Sequence, residues 1–326
     1  SFTFVSDSLK ILVVRFSSIG DIVLTSPVVR VLKKQKNAQI HFLTKFEYKS
    51  LLENNPYIDT IHTINDSVEE IKSQLRKENF DYIIDLHNNL RSQFLRTLNV
   101  PIKRYSKSNF KKFIYMYLGI NLLNNRHVVE RYLETLNFLN VKNDNQGLDF
   151  FLSEDSKTDY DIEQKYITWC IGASKNQKQL SVDQISNIAN KLNIPIILLG
   201  GEEDRNNGDQ IVDFCNNKNI ISLCGQLTIN QSAYLIKHSE FLLTNDTGLM
   251  HIGAALQKKI ISFWGCTKPD FGFYPYIQDS KSLMIVSAKS KKQCSKHGAK
   301  CRFASDGCIK LLDPEEILTK INQFIY

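Results

Sequence analysis

The sequence predicts an α/β protein made of two doubly wound domains, each a parallel sheet with helices on both faces. Three observations lead there. The chain has 326 residues, more than one hydrophobic core of about 150 residues fills, which points to two domains. Short apolar runs rich in β-branched residues alternate with amphipathic helical stretches, the pattern of a sheet buried on both sides. That alternation stops in a polar stretch at 153–164 and then starts again. The expected domains are therefore 1–155 and 156–326, with ligands held in the cleft between them, at the carboxyl ends of both sheets.

In the first half, residues 10–16 form a short β-rich run and 22–34 carry helical periodicity. Strands are expected at 39–44, 58–64 and 82–86, with a helix at 68–77. From 110 to 139 the pattern is helical apart from a break near 119–126. The second half predicts strands at 166–171, 194–199, 220–223, 241–244 and 259–264. Helices are expected between them at 182–192, 203–216, 229–237 and 247–256. A last helix at 314–324 follows Asp313, with Pro314 at its first position and Glu315 and Glu316 in its first turn. The pair Asp159 and Asp161 falls in the polar linker with no strand leading into it, and reads as solvated linker rather than as metal ligands.

Composition removes several classes. With 42% hydrophobic and 23% charged residues the chain is globular. Its longest apolar runs, such as 194–199, are far short of the roughly 20 residues needed to cross a bilayer. Residues 1–8 lack the basic-then-apolar order of a secretory signal, so a cytoplasmic protein is expected. The formal charge is +7, from 41 Lys and Arg against 34 Asp and Glu. Basic residues gather at Lys103, Arg104, Lys107, Lys111 and Lys112, with Tyr105, Phe110 and Phe113 among them. Such a cluster is either a solvated face or an attraction for anionic partners. With no nucleic-acid-binding signature beside it, lipid head groups or a phosphorylated saccharide are expected and nucleic acid is not.

Of seven cysteines, Cys170, Cys215, Cys224 and Cys266 lie in apolar segments, where thiols behave as small hydrophobes. Cys294, Cys301 and Cys308 are evenly spaced in a polar stretch, with His297 between the first two. Three Cys and one His can hold zinc, although these gaps exceed the usual knuckle spacing. The expectation is no catalytic metal, with these four residues the one candidate zinc set.

Four segments carry candidate chemistry. Between the first strand and helix stands Phe16-Ser17-Ser18-Ile19-Gly20-Asp21-Ile22, where a dinucleotide fold would carry a glycine fingerprint that is absent here. Asp21 is either an N-cap carboxylate or a general base facing the cleft. At 241–251 an apolar strand runs into Asn245-Asp246-Thr247-Gly248-Leu249-Met250-His251. The free N–H groups of Thr247, Gly248 and Leu249 would meet an anion at the positive end of a helix, where Gly248 allows close approach. Asp246 caps that helix or holds a sugar hydroxyl, and His251 is a ligand contact or a core histidine. Lys178, in the loop after the first strand of the second domain, can reach a phosphate as a point charge. Gly201, Glu202 and Glu203 end the next strand, where an acidic residue takes ribose hydroxyls or merely caps a helix.

Together these segments resemble glycosyltransferase family 9, the heptosyltransferases of the lipopolysaccharide inner core. The resemblance runs in order through Ser17–Asp21, Asp85-Leu86-His87-Asn88-Asn89-Leu90-Arg91-Ser92, His127-Val128-Val129-Glu130-Arg131-Tyr132, Lys178, Gly200-Gly201, the Asp-Thr-Gly-Leu-x-His run at 246–251, Gly265-Cys266-Thr267-Lys268-Pro269 and the late cysteines Cys294, Cys301 and Cys308. It implies a GT-B fold and an inverting, metal-independent transfer from a nucleotide-sugar donor, usually ADP-heptose, with no cofactor. Carried over, Asp21 is the general base. Lys178 and the amides of 247–249 are the diphosphate clamp. Asp246 and His251 serve the donor, and Glu203 or Glu202 its ribose. Ser18, Gly20 and Arg91 face an anionic glycolipid acceptor. A monomer in peripheral contact with the inner membrane is implied. The sequence departs from the family where Gln179, Leu180 and Ser181 follow the lysine in place of a basic residue, Trp and Pro. It departs again where Gly265-Cys266 replaces Gly-Pro. The alternatives are a nucleotide-sugar epimerase of the same architecture and a non-catalytic saccharide- or lipid-binding protein. A dehydrogenase is disfavoured by the missing glycine fingerprint.

Overall fold

A computed structural model describes residues 8–122, 126–158, 160, 164–216, 219–289, 292–295 and 297–325. The chain has two parallel sheets, and nine of their eleven described strands are apolar runs that the sequence predicts; Ile102–Arg104 and Ser282–Val286 are the two it did not. In the first, β1 (Lys10–Val14), β2 (Gln39–Lys45), β3 (Thr60–Ile64), β4 (Tyr82–Asp85) and β5 (Ile102–Arg104) lie in the order β3-β2-β1-β4-β5. In the second, β6 (Ile167–Cys170), β7 (Ile196–Leu199), β8 (Ile220–Ser222), β9 (Leu242–Asn245), β10 (Ile260–Trp264) and β11 (Ser282–Val286) lie in the order β11-β10-β9-β6-β7-β8.

The order decides where ligands can bind. In the first sheet the chain adds β2 and β3 on one side of β1, then returns to add β4 on the other. In the second sheet β6 and β9 are the pair that straddles the return. At such a switch point the loops leaving adjacent strands diverge and open a crevice at their carboxyl ends. The first crevice is flanked by 15–21 and 86–92, the second by 171–178 and 246–249.

Each sheet has its own core. Leu12, Val14, Leu43, Ile83 and Leu95 pack in one, and Trp169, Ile188, Leu198, Leu243 and Phe263 in the other. Contacts divide the chain into Ser1–Lys107 with His127–Phe151, and Ser108–Arg126 with Leu152–Tyr326. This differs from a cut at 155/156 chiefly in residues 108–126, and side chains explain the difference. Tyr115 packs on Phe271 and donates to Asp270 at 2.5 Å, and the Lys112 ammonium lies over Phe271 and Phe273. The helix Asn109–Leu118 is thereby held by the second unit.

Two further expectations are corrected. The predicted helix at 22–34 is two helices, Ile19–Val23 and Ser26–Lys36, because Pro27 lacks the N–H a continuous helix needs and instead opens the second one. The predicted helix after 126 is Val128–Leu133 followed by a 3₁₀ run, Glu134–Leu139. Asp159 and Asp161 lie outside the described residues. Among the described residues no helix is long and apolar enough to cross a membrane.

Candidate functional site

In the first unit, β1 runs into a turn whose Ser17–Ser18 peptide bond is cis. Asp21 sits in the first turn of Ile19–Val23, where a carboxylate complements the helix dipole. Ser18 donates its hydroxyl (3.0 Å) and its N–H (3.4 Å) to Asp21 Oδ2, and Arg15 binds the same oxygen at 2.8 Å. Arg15 is itself fixed on every side. It donates to the carbonyls of Ser17 and Leu86, both at 2.7 Å, and to Tyr132 Oη at 3.1 Å. Burial lowers its affinity for a proton, but Asp21 together with Tyr132 and Tyr105 more than offsets this and the guanidinium stays charged. The result is a half-buried carboxylate aimed by an immobile cation.

The neighbouring loop leaves β4 at Asp85, which is fully buried and accepts the N–H groups of His87 (3.1 Å) and Asn88 (2.8 Å). That loop carries the His87 ring against Phe16, 5.1 Å between centroids. Burial first, and Arg15 second, push His87 down to about 3, so it is neutral at physiological pH. Arg91 stands exposed on the short helix Leu90–Gln93, capped by Asn89. Gly20 is buried under the turn and Ser18 is exposed.

In the second unit, β9 ends at Asn245, whose buried amide donates to the carbonyls of Ile171 (2.7 Å) and Gly172 (3.4 Å) and ties the two loops of the switch point together. The helix Gly248–Ala255 then begins at Thr247 with no side-chain cap and no acidic residue in its first turn. Its positive end is therefore not neutralised from within. Lys178, on the 3₁₀ turn Asn176–Lys178, places Nζ 2.6 Å from Asp246 Oδ2, and Thr267 donates to the same oxygen at 2.9 Å. Asp246 thus acts as a tether that holds the lysine beside the uncapped helix start. His251 is buried within the helix.

The acidic cluster after β7 divides by role. Glu202 is exposed and held by Arg205, Oε2 to Nη2 at 2.6 Å, which keeps its carboxyl below the usual range. Glu203 is exposed at the same turn. Asp204, which sequence reasoning passed over, is the buried member. It accepts from the Gly201 N–H at 3.0 Å and from Gln179 Nε2 at 3.2 Å, and burial raises its carboxyl. A Cβ at Gly172 or Gly200 would fall within 3 Å of that carboxylate. Gln179 therefore braces the lysine loop against the end of β7.

His297 is exposed, and the sulfurs that converge are those of Cys266, Cys294, Cys301 and Cys308. The expected Cys–His set is corrected accordingly. Cys266 leaves β10 toward the same loop rather than into the apolar core.

The family model for glycosyltransferase family 9 (heptosyltransferase) matches residues 68–303. The chain belongs to this family. Lipopolysaccharide heptosyltransferase 1 of Campylobacter coli is 23% identical over 350 aligned positions, covering 97% of this chain and 98% of that protein. Lipopolysaccharide heptosyltransferase 3 of Escherichia coli K12 is 24% identical over 275 positions, 76% of this chain and 80% of that protein. Among solved structures, the family 9 glycosyltransferase of Veillonella parvula superposes with a TM-score of 0.82 at 19% identity, covering 98% of both chains. The ADP-heptose lps heptosyltransferase II of E. coli gives 0.74 at 21% identity, covering 97% of this chain and 98% of that one. This family 9 member is thus a glycosyltransferase with the GT-B fold, two Rossmann-like domains. Membership sets aside the epimerase and the non-catalytic binding protein.

Proposed function

We propose that the protein transfers heptose from ADP-heptose, with inversion and without a catalytic metal, onto an anionic core saccharide of lipopolysaccharide type. The observation that carries this reading is Lys178, held at 2.6 Å by Asp246 beside the uncapped start of Gly248–Ala255. A diphosphate needs such a pairing of fixed ammonium and free helix amides. The curated relatives bring the sugar and the acceptor class through their names.

In the proposed step the acceptor oxygen bonds to the anomeric carbon as the bond from that carbon to the diphosphate breaks. Asp21 takes the acceptor's proton, and Arg15 and Ser18 hold its carboxylate in one orientation. The departing diphosphate keeps the bonding electron pair. Lys178 and the N–H groups of Thr247, Gly248 and Leu249 stabilise that charge, each donor being worth about 2–4 kcal/mol where water is excluded. Since Glu202 is engaged by Arg205, Glu203 is the carboxylate that takes the ribose hydroxyls. His251, buried behind the helix start, supports the donor loop rather than touching the sugar. Ser18, Gly20 and Arg91 receive the acceptor.

A monomer acting at a membrane surface fits the helix Asn109–Leu118. Its outer side exposes Phe110 (74%), Phe113, Tyr117 and Leu118 (67%), and Lys111 is exposed among them. Apolar rings flanked by a cation suit the interface of an anionic bilayer, where a glycolipid acceptor is found. Mixing the protein with ADP-heptose and a heptose-deficient core lipid should add one heptose by mass spectrometry and release ADP. Intact donor and acceptor after prolonged incubation would refute the reading.

A further inference from the structure

The sulfurs of Cys266, Cys294, Cys301 and Cys308 all lie within 4.8 Å of one another, and Cys266 and Cys308 are 3.9 Å apart. All four are free thiols. A disulfide brings sulfurs to about 2.05 Å, whereas a tetrahedral metal with bonds of about 2.3 Å sets them about 3.8 Å apart. The observed spacing is that of ligands. We propose that these four cysteines form a closed tetrathiolate site for one thiophilic divalent cation, Zn²⁺ or Fe²⁺, and that this cation fixes the loop that buttresses Lys178.

Apolar packing of thiols is the competing explanation, and it fits poorly. Among the described residues the local apolar cluster consists of the four cysteines, three buried and Cys301 half-buried, with no aliphatic or aromatic partner in it. The ligands come from three places: just beyond β10, the irregular segment after β11, and the start of the 3₁₀ turn Cys308–Leu311. A segment with so little core of its own is the kind that a metal staples. Two polar contacts suit thiolates. The Phe303 N–H donates to Cys301 Sγ at 3.4 Å, and the Cys294 N–H donates to the Cys266 carbonyl at 3.0 Å, pinning two ligand-bearing segments together. Lys268 is buried next to the cluster with Nζ on the Ser287 carbonyl at 2.7 Å. Four protein ligands leave no open coordination position, which marks the site as structural.

What the site holds in place is visible in its neighbours. A Cβ at Gly298 would meet the Lys178 methylenes and Thr267 at 2.9 Å, and one at Gly307 would meet the Gln177 carbonyl at 2.4 Å. Lys310 donates to Asn176 Oδ1 at 3.0 Å. On the other side of the loop, Lys292 and Arg302 donate to the carbonyls of Tyr117 and Met116, capping Asn109–Leu118. The cation would thus set both the lysine and the exposed helix.

The metal site stands apart from the transferase reading, while its effect on Lys178 rests on that reading. Elemental analysis of the purified full chain should give one equivalent of Zn or Fe. The double variant Cys294→Ser/Cys308→Ser should give none, and Cys215→Ser, outside the cluster, should keep it. In case the double variant does not fold, wild-type protein stripped with a mercurial and titrated with Co²⁺ should bind one equivalent with thiolate-to-cobalt charge-transfer bands. Wild-type protein that holds neither metal and binds no Co²⁺, or whose four sulfurs are paired as disulfides, would overturn the site. ADP affinity should fall about tenfold on stripping. An unchanged affinity would overturn the buttressing, and failure of both forms to bind ADP would instead count against the donor reading.

Discussion

Asp246 is the residue at which charge arithmetic matters most. A carboxylate at the mouth of the proposed diphosphate site would repel its ligand unless it were spent on a cation, and its Oδ2 accepts from both Lys178 and Thr267. Lys178→Ala should therefore lower kcat by about 100- to 1,000-fold and raise the donor KM, as loss of one preorganised charge donor does; steady-state kinetics with unchanged constants would reassign the clamp. The neighbouring acids separate by partner. Glu203→Ala should weaken ADP binding about tenfold by calorimetry, whereas Glu202→Ala, which frees only Arg205, should change it less than threefold. At this scale the sequence was partly legible. Asp21, Lys178 and the 246–249 run were legible as residue types at strand ends. Asp204 was not, because three consecutive acids look alike until burial selects one, and the Arg15 anchor was not, because its partners are 71 and 117 positions away.

At the scale of elements, the inner strands were legible because burial on both faces makes them continuously apolar. The edges were not. β5 is only Ile102–Arg104, two of its three residues charged, and β11 pairs on one side alone. Helix Ser26–Lys36 illustrates what holds an element beyond its apolar stripe. Arg30, 1% exposed, binds Asp144 through two nitrogens at 2.7 and 2.8 Å, the Gly147 carbonyl at 2.9 Å, and Asp149. Removing it would strand two carboxylates, one of which burial already raises. Arg30→Ala should cost about 3–5 kcal/mol in urea unfolding, as breaking a buried ion pair does; a loss under 1 kcal/mol would show that the pair is not holding the helix.

At the scale of the whole molecule, the first unit contains three histidines whose burial makes the fold sensitive to acid. His41 and His62 share a buried hydrogen bond of 2.8 Å, and burial lowers both, His62 to about 4; His87 lies at about 3. Each is neutral in the fold and titrates near 6.5 when unfolded, so acid protonates the unfolded chain first. Their contribution is complete above pH 6.5 and is lost as the pH falls toward 4 and below, on the order of 3 kcal/mol for His62 alone. Melting temperature should fall steeply between pH 6.5 and 4, and more shallowly in His62→Phe; equal slopes would remove the histidine from the acid response. The two-domain plan was legible from the restart of the alternation after 164. The allegiance of 108–126 was not, since Tyr115 lies 155 positions from its partner Asp270.

The central claim separates holding the donor from activating the acceptor, and one variant tests both together. Asp21→Asn should bind ADP as wild type does in calorimetry while heptose transfer falls at least 100-fold, a loss typical of a missing general base. Transfer at the wild-type rate would contradict the account.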